Sequence, residues 1–144
     1  MTGTAPDPGC VFCAIIDERA PASVVYEDDE VLAFMDINPV TPGHLLVVPR
    51  RHLPMLADLD NALAGHMFNI ARRLAAALRA SDVRSDGINL FYADGEAALQ
   101  EIFHAHLHVI PRYPGDGFTI DADWGSHPSH EELDAIVANI KQHL

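Results

Sequence analysis

The chain has 144 residues, of which 49% are hydrophobic and 21% are charged, and its net charge is −12. This length and balance are typical of one soluble globular domain that buries its core without disulfides. The acidic balance argues against a nucleic acid as partner, because nucleic-acid binders carry a basic face, although a small phosphate ligand stays compatible with it.

The N-terminus and the length of the apolar runs indicate where in the cell the protein is expected. No apolar run approaches the roughly 20 residues that a membrane-spanning helix needs, so we predict no membrane span. Residues 1–9 are small, polar and proline-bearing, and they lack the basic region and the apolar stretch of a signal peptide. We therefore expect a cytoplasmic protein with a mobile N-terminal arm at residues 1–9 and a single domain at residues 10–144.

Two cysteines stand three positions apart at the start of this domain. Cys10 and Cys13 fall in a short apolar run, residues 10–16, that predicts one or two helical turns. In a reducing compartment such a pair favours a metal clip or a redox pair over a structural disulfide. Two buried apolar thiols fit the spacing equally well, so the alternatives stay open at this point.

Five segments are rich in the β-branched and aromatic residues typical of strands. Residues 24–26 and 31–36 flank an acidic turn and predict a hairpin. The third strand covers residues 44–49, the fourth covers 87–93, and the fifth covers 103–112.

Two helices complete the predicted fold. Apolar residues at steps of three and four over residues 58–80 predict a long amphipathic helix between the third and fourth strands. Ser129 and Glu132 form a capping box that opens a C-terminal helix. The apolar face of that helix comprises Leu133, Ile136, Val137 and Ile140. The elements together predict an α+β fold on a five-stranded antiparallel sheet.

Three histidines alternate with apolar residues in the predicted fifth strand. The alternation puts His104, His106 and His108 on one face and the apolar residues between them on the core side. Successive residues on one face of a strand lie roughly 6.7 Å apart. The three imidazoles therefore cannot all bind the same atom. A surface strand without chemistry, a zinc site, and nucleophilic attack on phosphorus are the alternatives. Chemistry alone leaves the last two nearly equal.

Residues 104–110 resemble the His-x-His-x-His motif, followed by two apolar residues, of the histidine-triad (HIT) superfamily of nucleotide hydrolases and transferases. Further segments match the family in the same order, and the resemblance covers residue 10 to about residue 118. The further segments are residues 10–16, 26–28, 32–37, 42–49 and 95–98. The resemblance implies a HIT-like fold for the whole of the predicted domain.

The resemblance implies distinct roles for the residues around the phosphate. His106 would be the nucleophile, which attacks the α-phosphorus of a nucleoside 5′-phosphate derivative and forms a nucleotidyl-histidine intermediate. His44 and His108 would hold the phosphate and stabilise its developing charge. The side chain of Gln100 would lie near the leaving group, and backbone amides near Gln100 and Glu101 would contact the phosphate.

The resemblance also implies a nucleoside pocket. Asp36 matches the acidic residue that holds the ribose hydroxyls. An apolar group matches the pocket for the base, although plain core packing is the alternative for each of its members. This group comprises Val11, Phe12, Ile15, Phe34 and Ile37.

Some bacterial members of the superfamily hold zinc with a Cys-x-x-Cys pair, a histidine after the third strand and the first histidine of the triad. The matching residues are Cys10, Cys13, His52 and His104. A Cys₂His₂ set supplies all four ligands of a tetrahedral zinc and leaves no open position, as expected of a structural zinc site. By resemblance we expect this zinc, and no organic cofactor.

Two positions depart from the family pattern. Many relatives have an asparagine at the position of Ala93 and a serine or threonine at the position of Glu101, and both side chains help to hold phosphates. A carboxylate at position 101 would repel phosphate if it pointed inward, so we expect it to turn away or to pair with a cation. The departures affect substrate choice more than mechanism.

The resemblance thus implies a hydrolase that cleaves purine nucleoside 5′-phosphoramidates or related nucleotide conjugates. A dinucleoside polyphosphate hydrolase, acting on Ap3A or Ap4A, is the alternative with the same mechanism. A nucleotide-binding or scaffold protein with weak catalysis is the alternative of another class. The resemblance also implies a homodimer whose two sheets join edge to edge near the long helix and the fourth strand.

Overall fold

The computed structural model describes residues 6–144. Residues 1–5, which are the greater part of the predicted N-terminal arm, lie outside the described residues, and residues 6–9 are exposed. In chain order the elements are α1 (Val11–Ile16), β1 (Val24–Glu27), β2 (Val31–Met35), β3 (Leu45–Pro49), α2 (Asn61–Ala80), β4 (Gly87–Tyr92), β5 (Leu107–Arg112) and α3 (His130–Lys141), with 3₁₀ turns at Leu56–Asp58 and Glu96–Ala98.

The five strands form one antiparallel sheet in the order β1-β2-β3-β5-β4. This arrangement confirms the predicted α+β class and the five-stranded antiparallel sheet. β5 lies between β3 and β4 in the sheet and pairs with both. β1 and β4 are left as the two edge strands.

Side chains of the central strands alternate between two cores. On one face, residues such as Val31 and Val47 pack against α2. On the other face, Leu32 and Leu46 pack against α1 and the buried ring of Phe12. Burial on both faces explains why the sequence of β3 is an unbroken apolar run. The candidate site lies on the α1 side of the sheet.

The long helix α2 starts later than predicted. Asp58 belongs to the preceding 3₁₀ turn, where its carboxylate accepts a hydrogen bond from the N–H of Met55. Asp60 then caps α2 by accepting from the N–H of Leu63 at 2.8 Å. The buried stripe of α2 comprises Leu63, Met67, Ile70, Ala71, Leu74 and Leu78. Among the residues that the structure describes, no helix combines the length and the hydropathy needed to cross a membrane.

The predicted fifth strand begins too early. β5 starts at Leu107, so residues 103–106 precede it instead of extending it. The N–H of Ala105 donates to the carbonyl of Leu53 at 2.7 Å, and this bond draws the backbone out of the sheet. From Leu107 onward the predicted alternation is present, because Leu107 packs in the α2 core while His108 pairs with Leu46 across the sheet.

The chain ends in an exposed segment. Ser129 caps α3 by accepting from the N–H of Glu132 at 3.1 Å, which confirms the predicted start of the C-terminal helix. Every residue from 119 to 144 is exposed, including the whole apolar face of α3. We call residues 119–144 the C-terminal arm. Trp124, which lies in this arm, is 74% exposed.

The turn between β1 and β2 is organised by one carboxylate. Asp28 accepts from the N–H groups of Glu30 and Val31, from the Tyr26 hydroxyl at 2.6 Å, and lies 2.7 Å from Nε2 of His66. Burial alone would raise the pKa of Asp28, but these hydrogen bonds outweigh burial and hold the pKa well below its ordinary value. His66 thereby ties α2 to the hairpin.

We predict that Asp28→Asn lowers the free energy of unfolding at pH 7 by about 2 kcal/mol, because the amide cannot replace the charged acceptor. The folded-state pKa of Asp28 lies below the unfolded value, so the stabilisation is present above about pH 4 and is lost as the pH falls. Urea unfolding of both proteins between pH 7 and pH 3 measures this. Asp29→Asn, at the exposed neighbour, is the control. A stability difference that is the same at both ends of this range would contradict the assignment.

Candidate active site

Three imidazoles and one phenyl ring form a continuous cluster on the α1 side of the sheet. The ring centroids of His106 and His108 lie 4.9 Å apart, and those of His44 and His108 lie 5.1 Å apart. Phe12 packs edge-on against His106 at 5.2 Å. His44, which immediately precedes β3, is therefore brought to the two later histidines by the β3–β5 pairing.

Hydrogen bonding determines which nitrogen of His106 carries the proton. Nδ1 of His106 lies 2.7 Å from the carbonyl oxygen of His104, and a carbonyl oxygen can only accept. The proton of the neutral ring is therefore on Nδ1, which leaves a lone pair on Nε2. Burial lowers the pKa of His106, so the ring is neutral at pH 7. A buried neutral imidazole with a free Nε2 is chemically a nucleophile.

A second chain of hydrogen bonds sets the protons of His44 and His108. The N–H of Val40 donates to Nδ1 of His44 at 3.0 Å, so the proton of neutral His44 is on Nε2. The Nε2–H of His44 in turn donates to Nδ1 of His108 at 2.8 Å, so the proton of neutral His108 is on Nε2. Burial, followed by the neighbouring imidazoles of His106 and His44, lowers the pKa of His108 to about 4. This series of hydrogen bonds thus ends in one N–H donor, at Nε2 of His108.

Asp36 lies beside this chain. One carboxylate oxygen of Asp36 is 3.5 Å from Nε2 of His44, and the other accepts from the N–H of Asn38 at 2.8 Å. Asp36, His44 and His108 lie close enough together to suggest a metal site. Nε2 of His44 carries the proton, however, and has no lone pair to offer a metal. Hydrogen bonding accounts for this group better.

The residues predicted for the base pocket divide into core and rim. Phe12 and Phe34 are buried with ring centroids 5.4 Å apart, and both belong to the core on the α1 side. Ile15 is half-buried. Val11 is 47% exposed and Ile37 is 89% exposed. Val11 and Ile37 are therefore the two members of the predicted pocket that present apolar side chains at the surface.

The loop before the histidines is held by the side chain of Gln100. Its amide nitrogen donates to the carbonyls of Pro54 at 2.8 Å and Ile102 at 3.1 Å, and its oxygen accepts from the N–H of Gly95 at 2.8 Å. Both N–H donors of the amide are used within the chain, and the residue is buried. Gln100 therefore anchors the loop instead of presenting free donors.

The two residues that depart from the family pattern lie in contrasting surroundings. Ala93 is buried, whereas Glu101 is exposed. Leu99 is 75% exposed and has a φ of +72°, a left-handed conformation that is rare for a leucine, and Phe103 is 46% exposed. The surface of this loop is thus apolar and acidic.

The four predicted metal ligands converge. The Sγ atoms of Cys10 and Cys13 lie 3.5 and 3.6 Å from Nδ1 of His104, and Sγ of Cys13 lies 3.3 Å from Nδ1 of His52. All four ligand atoms lie within 4.8 Å of one another. A tetrahedral zinc with Zn–S near 2.3 Å and Zn–N near 2.0–2.1 Å requires an S···N separation of about 3.5 Å. The residues present fit zinc.

The proton positions at this cluster also suit a metal. Nε2 of His104 donates to the carbonyl of Pro49 at 2.7 Å, so the lone pair of the ring is on Nδ1 and faces the sulfurs. Burial lowers the pKa of His104 to about 4. Burial, and then the adjacent Cys10, raises the pKa of the Cys13 thiol. A divalent cation would supply the positive charge that buried thiolates require.

Sequence reasoning missed the groups that orient these rings. They are backbone atoms: the carbonyls of Pro49 and His104, and the N–H of Val40. Every residue carries such atoms, so no residue type marked them in advance.

The HIT domain family model matches residues 17–115. The chain belongs to the HIT family. Two relatives match nearly the whole chain. The hit protein of Bacillus subtilis (strain 168) is 40% identical over 139 residues, which cover 94% of each chain. The adenylylsulfatase HINT3 of Arabidopsis thaliana is 34% identical over 137 residues, which cover 94% of this chain and 69% of the relative. The family thus includes hydrolases.

Solved structures agree with the fold. A crystal structure of a HIT family protein from Bacillus anthracis, 41% identical, covers 95% of this chain and 98% of its own with a TM-score of 0.86. A Zn-bound histidine triad family protein from Mycobacterium smegmatis, 40% identical, covers 94% of this chain and 98% of its own with a TM-score of 0.74. The HIT-like fold predicted from the motifs is confirmed.

We predict that His108 stays neutral until the pH approaches about 4. Since its folded-state pKa lies below the unfolded value of about 6.5, the unfolded chain takes up the proton first, and stability falls as the pH decreases from about 6.5 to 4. Nitrogen-15 NMR of the histidine rings measures both protonation and tautomer. At pH 7 we expect the proton of His106 on Nδ1 and that of His44 on Nε2. The reverse tautomer at His106 would contradict the assignment of its free nitrogen.

Proposed function

We propose that this protein is a nucleotide hydrolase that cleaves purine nucleoside 5′-phosphoramidates or related nucleotide conjugates at the α-phosphorus. The observation that carries the proposal is the state of His106, which is buried and neutral and has its free lone pair on Nε2. Membership of the HIT family supports a reaction at a nucleotide phosphate. The adenylylsulfatase among the relatives supports it further.

The proposed reaction has two displacements at phosphorus. Nε2 of His106 attacks the α-phosphorus, and the bond from phosphorus to the leaving amine breaks as the N–P bond forms. The amine departs with a proton taken from water. A second water then attacks the phosphorus and gives a proton to the hydroxide left by the first water, which releases the nucleoside monophosphate and frees His106. The ring gains positive charge in the intermediate, and its Nδ1–H bond to the carbonyl of His104 stabilises that charge.

His44 and His108 hold the phosphate in this proposal. The N–H at Nε2 of His108 donates to a phosphate oxygen, and the hydrogen bond from His44 fixes its direction. Asp36 accepts from the ribose hydroxyls. The base packs against the exposed side chains of Val11 and Ile37 and the half-buried Ile15, while Phe12 and Phe34 lie in the core on the α1 side.

The loop of residues 93–101 lies at the leaving-group side. The side chain of Gln100 holds it in place near the leaving group. The backbone N–H of Gln100 donates to the carbonyl of Gly95 at 3.1 Å, so in this proposal the amide of Glu101 contacts the phosphate. The exposed carboxylate of Glu101 and the exposed side chains of Leu99 and Phe103 suit an amine or an apolar leaving group. They suit the additional negative charge of a dinucleoside polyphosphate poorly, because like charges repel.

We predict that His106→Ala abolishes the nucleotidyl adduct and lowers turnover of an adenosine phosphoramidate at least about a thousandfold. Mass spectrometry of the quenched protein detects the adduct, and release of adenosine monophosphate measures turnover. His143→Ala, at the exposed C-terminal end, is the matched control and should behave as wild type. Unchanged turnover in His106→Ala would show that His106 is not the nucleophile.

The same assay separates the rival functions. Faster cleavage of Ap3A or Ap4A than of the phosphoramidate would favour the dinucleoside polyphosphate hydrolase. Nucleotide binding without an adduct and without turnover of either substrate would favour the binding module. The buried Ala93 and the exposed Glu101, at positions where many relatives have phosphate-binding side chains, are the observations that favour that second candidate.

A structural zinc is also proposed, held by Cys10, Cys13, His52 and His104. The S···N separations of 3.3–3.6 Å and the lone pair of His104 toward the sulfurs support it, as does the Zn-bound relative from Mycobacterium smegmatis. The metal would clip α1 to the start of the histidine segment and takes no part in the reaction.

We predict about one zinc per chain in protein purified without a histidine tag, measured by elemental analysis. Cys13→Ser should lose most of the metal and lower the thermal midpoint, because the site would keep one thiolate and two imidazoles. Ser129→Ala, which removes the cap of α3 far from the metal ligands in sequence, is the control for a general loss of stability. Wild-type protein with almost no zinc and full activity would contradict the site.

A homodimer completes the proposal. β4 is an edge strand, and an open edge invites pairing with another strand. The groove between α2 and β4 exposes Leu56, Phe68 and Leu90. Within residues 6–144 the buried hydroxyl of Tyr92 beside this groove has no hydrogen-bond partner. Two copies that join their sheets through β4 would cover this surface.

A further inference from the structure

The segment that leads into β3 has a sequence that favours a tight turn. Residues 41–44 read Thr-Pro-Gly-His, and the N–H of His44 donates to the carbonyl of Thr41 at 3.1 Å. Proline favours the second position of a type II turn, and the third position requires a positive φ. Gly43 occupies that third position with a φ of +97°. The turn therefore delivers His44 directly to the start of β3.

Two contacts seat this turn on β5. The hydroxyl of Thr41, a residue that is only 2% exposed, donates to the carbonyl of Pro111 at 2.6 Å. Gly43 lies so close to its neighbours that a Cβ added to it would be 2.7 Å from Cγ1 of Val83 and 3.1 Å from Cγ of Pro111. The turn is thus held by a buried hydrogen bond and by close packing, and it has little room to move relative to β5.

The residue before the turn supplies the N–H group on which the proton of His44 depends. The N–H of Val40 donates to Nδ1 of His44 at 3.0 Å and so keeps the proton of the neutral ring on Nε2. Val40 is bonded directly to Thr41, so the anchor at Thr41 also determines where this N–H lies. A carboxylate oxygen of Asp36 favours the same tautomer, but at 3.5 Å from Nε2 it lies beyond the usual hydrogen-bonding range.

The tautomer of His44 determines what His108 presents to a ligand. With the proton on Nε2 of His44, that N–H donates to Nδ1 of His108, and the proton of His108 is on its own Nε2. With the proton on Nδ1 of His44, the hydrogen bond between the rings would reverse, and Nε2 of His108 would carry a lone pair. An N–H attracts a phosphate oxygen, whereas a lone pair repels it. One backbone N–H therefore selects between attraction and repulsion at the phosphate.

We propose that Thr41 is a positioning residue for phosphate binding. Its hydroxyl holds the turn on β5, the held turn keeps the N–H of Val40 on His44, and His44 then gives His108 the tautomer that donates to phosphate. Thr41 acts only through these groups, because its own hydroxyl proton is used by the carbonyl of Pro111. This inference rests on the proposed function, in which His108 donates to the phosphate.

Thr41→Val removes the hydroxyl and keeps the branched shape of the side chain. In nitrogen-15 NMR of the ligand-free variant, we expect a measurable share of His44 to carry its proton on Nδ1, and the same of His108. His106, whose proton is held by a carbonyl outside the turn, should keep its wild-type tautomer. Thr41→Ser retains the hydroxyl and should restore the wild-type spectrum. Thr119→Val, the same substitution at an exposed threonine, is the control and should change nothing.

Ligand binding separates the loss of a phosphate donor from damage to the whole site. Adenosine 5′-monophosphate should bind Thr41→Val at least about tenfold more weakly than wild type, because a hydrogen bond to a charged group is lost. Adenosine has no phosphate and should bind both proteins equally. Isothermal titration calorimetry measures both ligands. Equal weakening of both ligands would show a purely structural role and would overturn the inference.

A second variant removes the N–H of Val40 itself. Replacing Val40 with its α-hydroxy acid analogue converts the peptide N–H to an ester oxygen, leaves Thr41 in place, and should change the same tautomers and the same affinity. Wild-type tautomers in either variant, in a protein that still cleaves the phosphoramidate, would overturn the role of Thr41 alone. A wild-type protein that neither binds adenosine monophosphate nor cleaves the phosphoramidate would overturn the proposed function and, with it, this role.

Discussion

Two backbone carbonyls determine what the histidine segment can do. The carbonyl of Pro49 accepts a hydrogen bond from the Nε2–H of His104, and the carbonyl of His104 accepts one from the Nδ1–H of His106. Two imidazoles two residues apart are thereby held in opposite tautomers. One has its lone pair on Nδ1, which faces the cysteines, and the other has its lone pair on Nε2. Because the acceptor for His106 belongs to His104, whatever holds the backbone at His104 also orients His106.

The sheet makes this division of tasks possible. Its α2 face is an ordinary apolar core that fixes the register of β3 and β5. With that register fixed, His44 and His108 meet at hydrogen-bonding distance on the other face. The bend before β5 then lifts His104 toward Cys10 and Cys13 instead of leaving it in line with His108. A regular strand would have kept the three rings in one row.

Pattern reasoning from the sequence predicted the elements and their order, because apolar periodicity reflects which faces are buried. It placed the start of β5 wrongly, since the bond from Ala105 to the distant carbonyl of Leu53 leaves no local signal. The spacing of the histidines predicted that they divide their tasks, whereas the tautomers depend on backbone acceptors that any residue type supplies. The apolar face of α3 was visible, but periodicity cannot tell whether such a face packs against its own chain.

Electrostatics gives the site an unusual character for one proposed to bind an anion. The chain carries a net charge of −12, and burial keeps His106 and His108 neutral at pH 7. These rings therefore offer a phosphate one directed N–H group, at Nε2 of His108, and no fixed cation. Such donors stabilise charge most where water is excluded, as it is around buried rings. An anion that reached them would raise the pKa of the same imidazoles, so that binding and proton uptake are coupled. The global charge slows the approach of a nucleotide, and the local donors determine whether it stays.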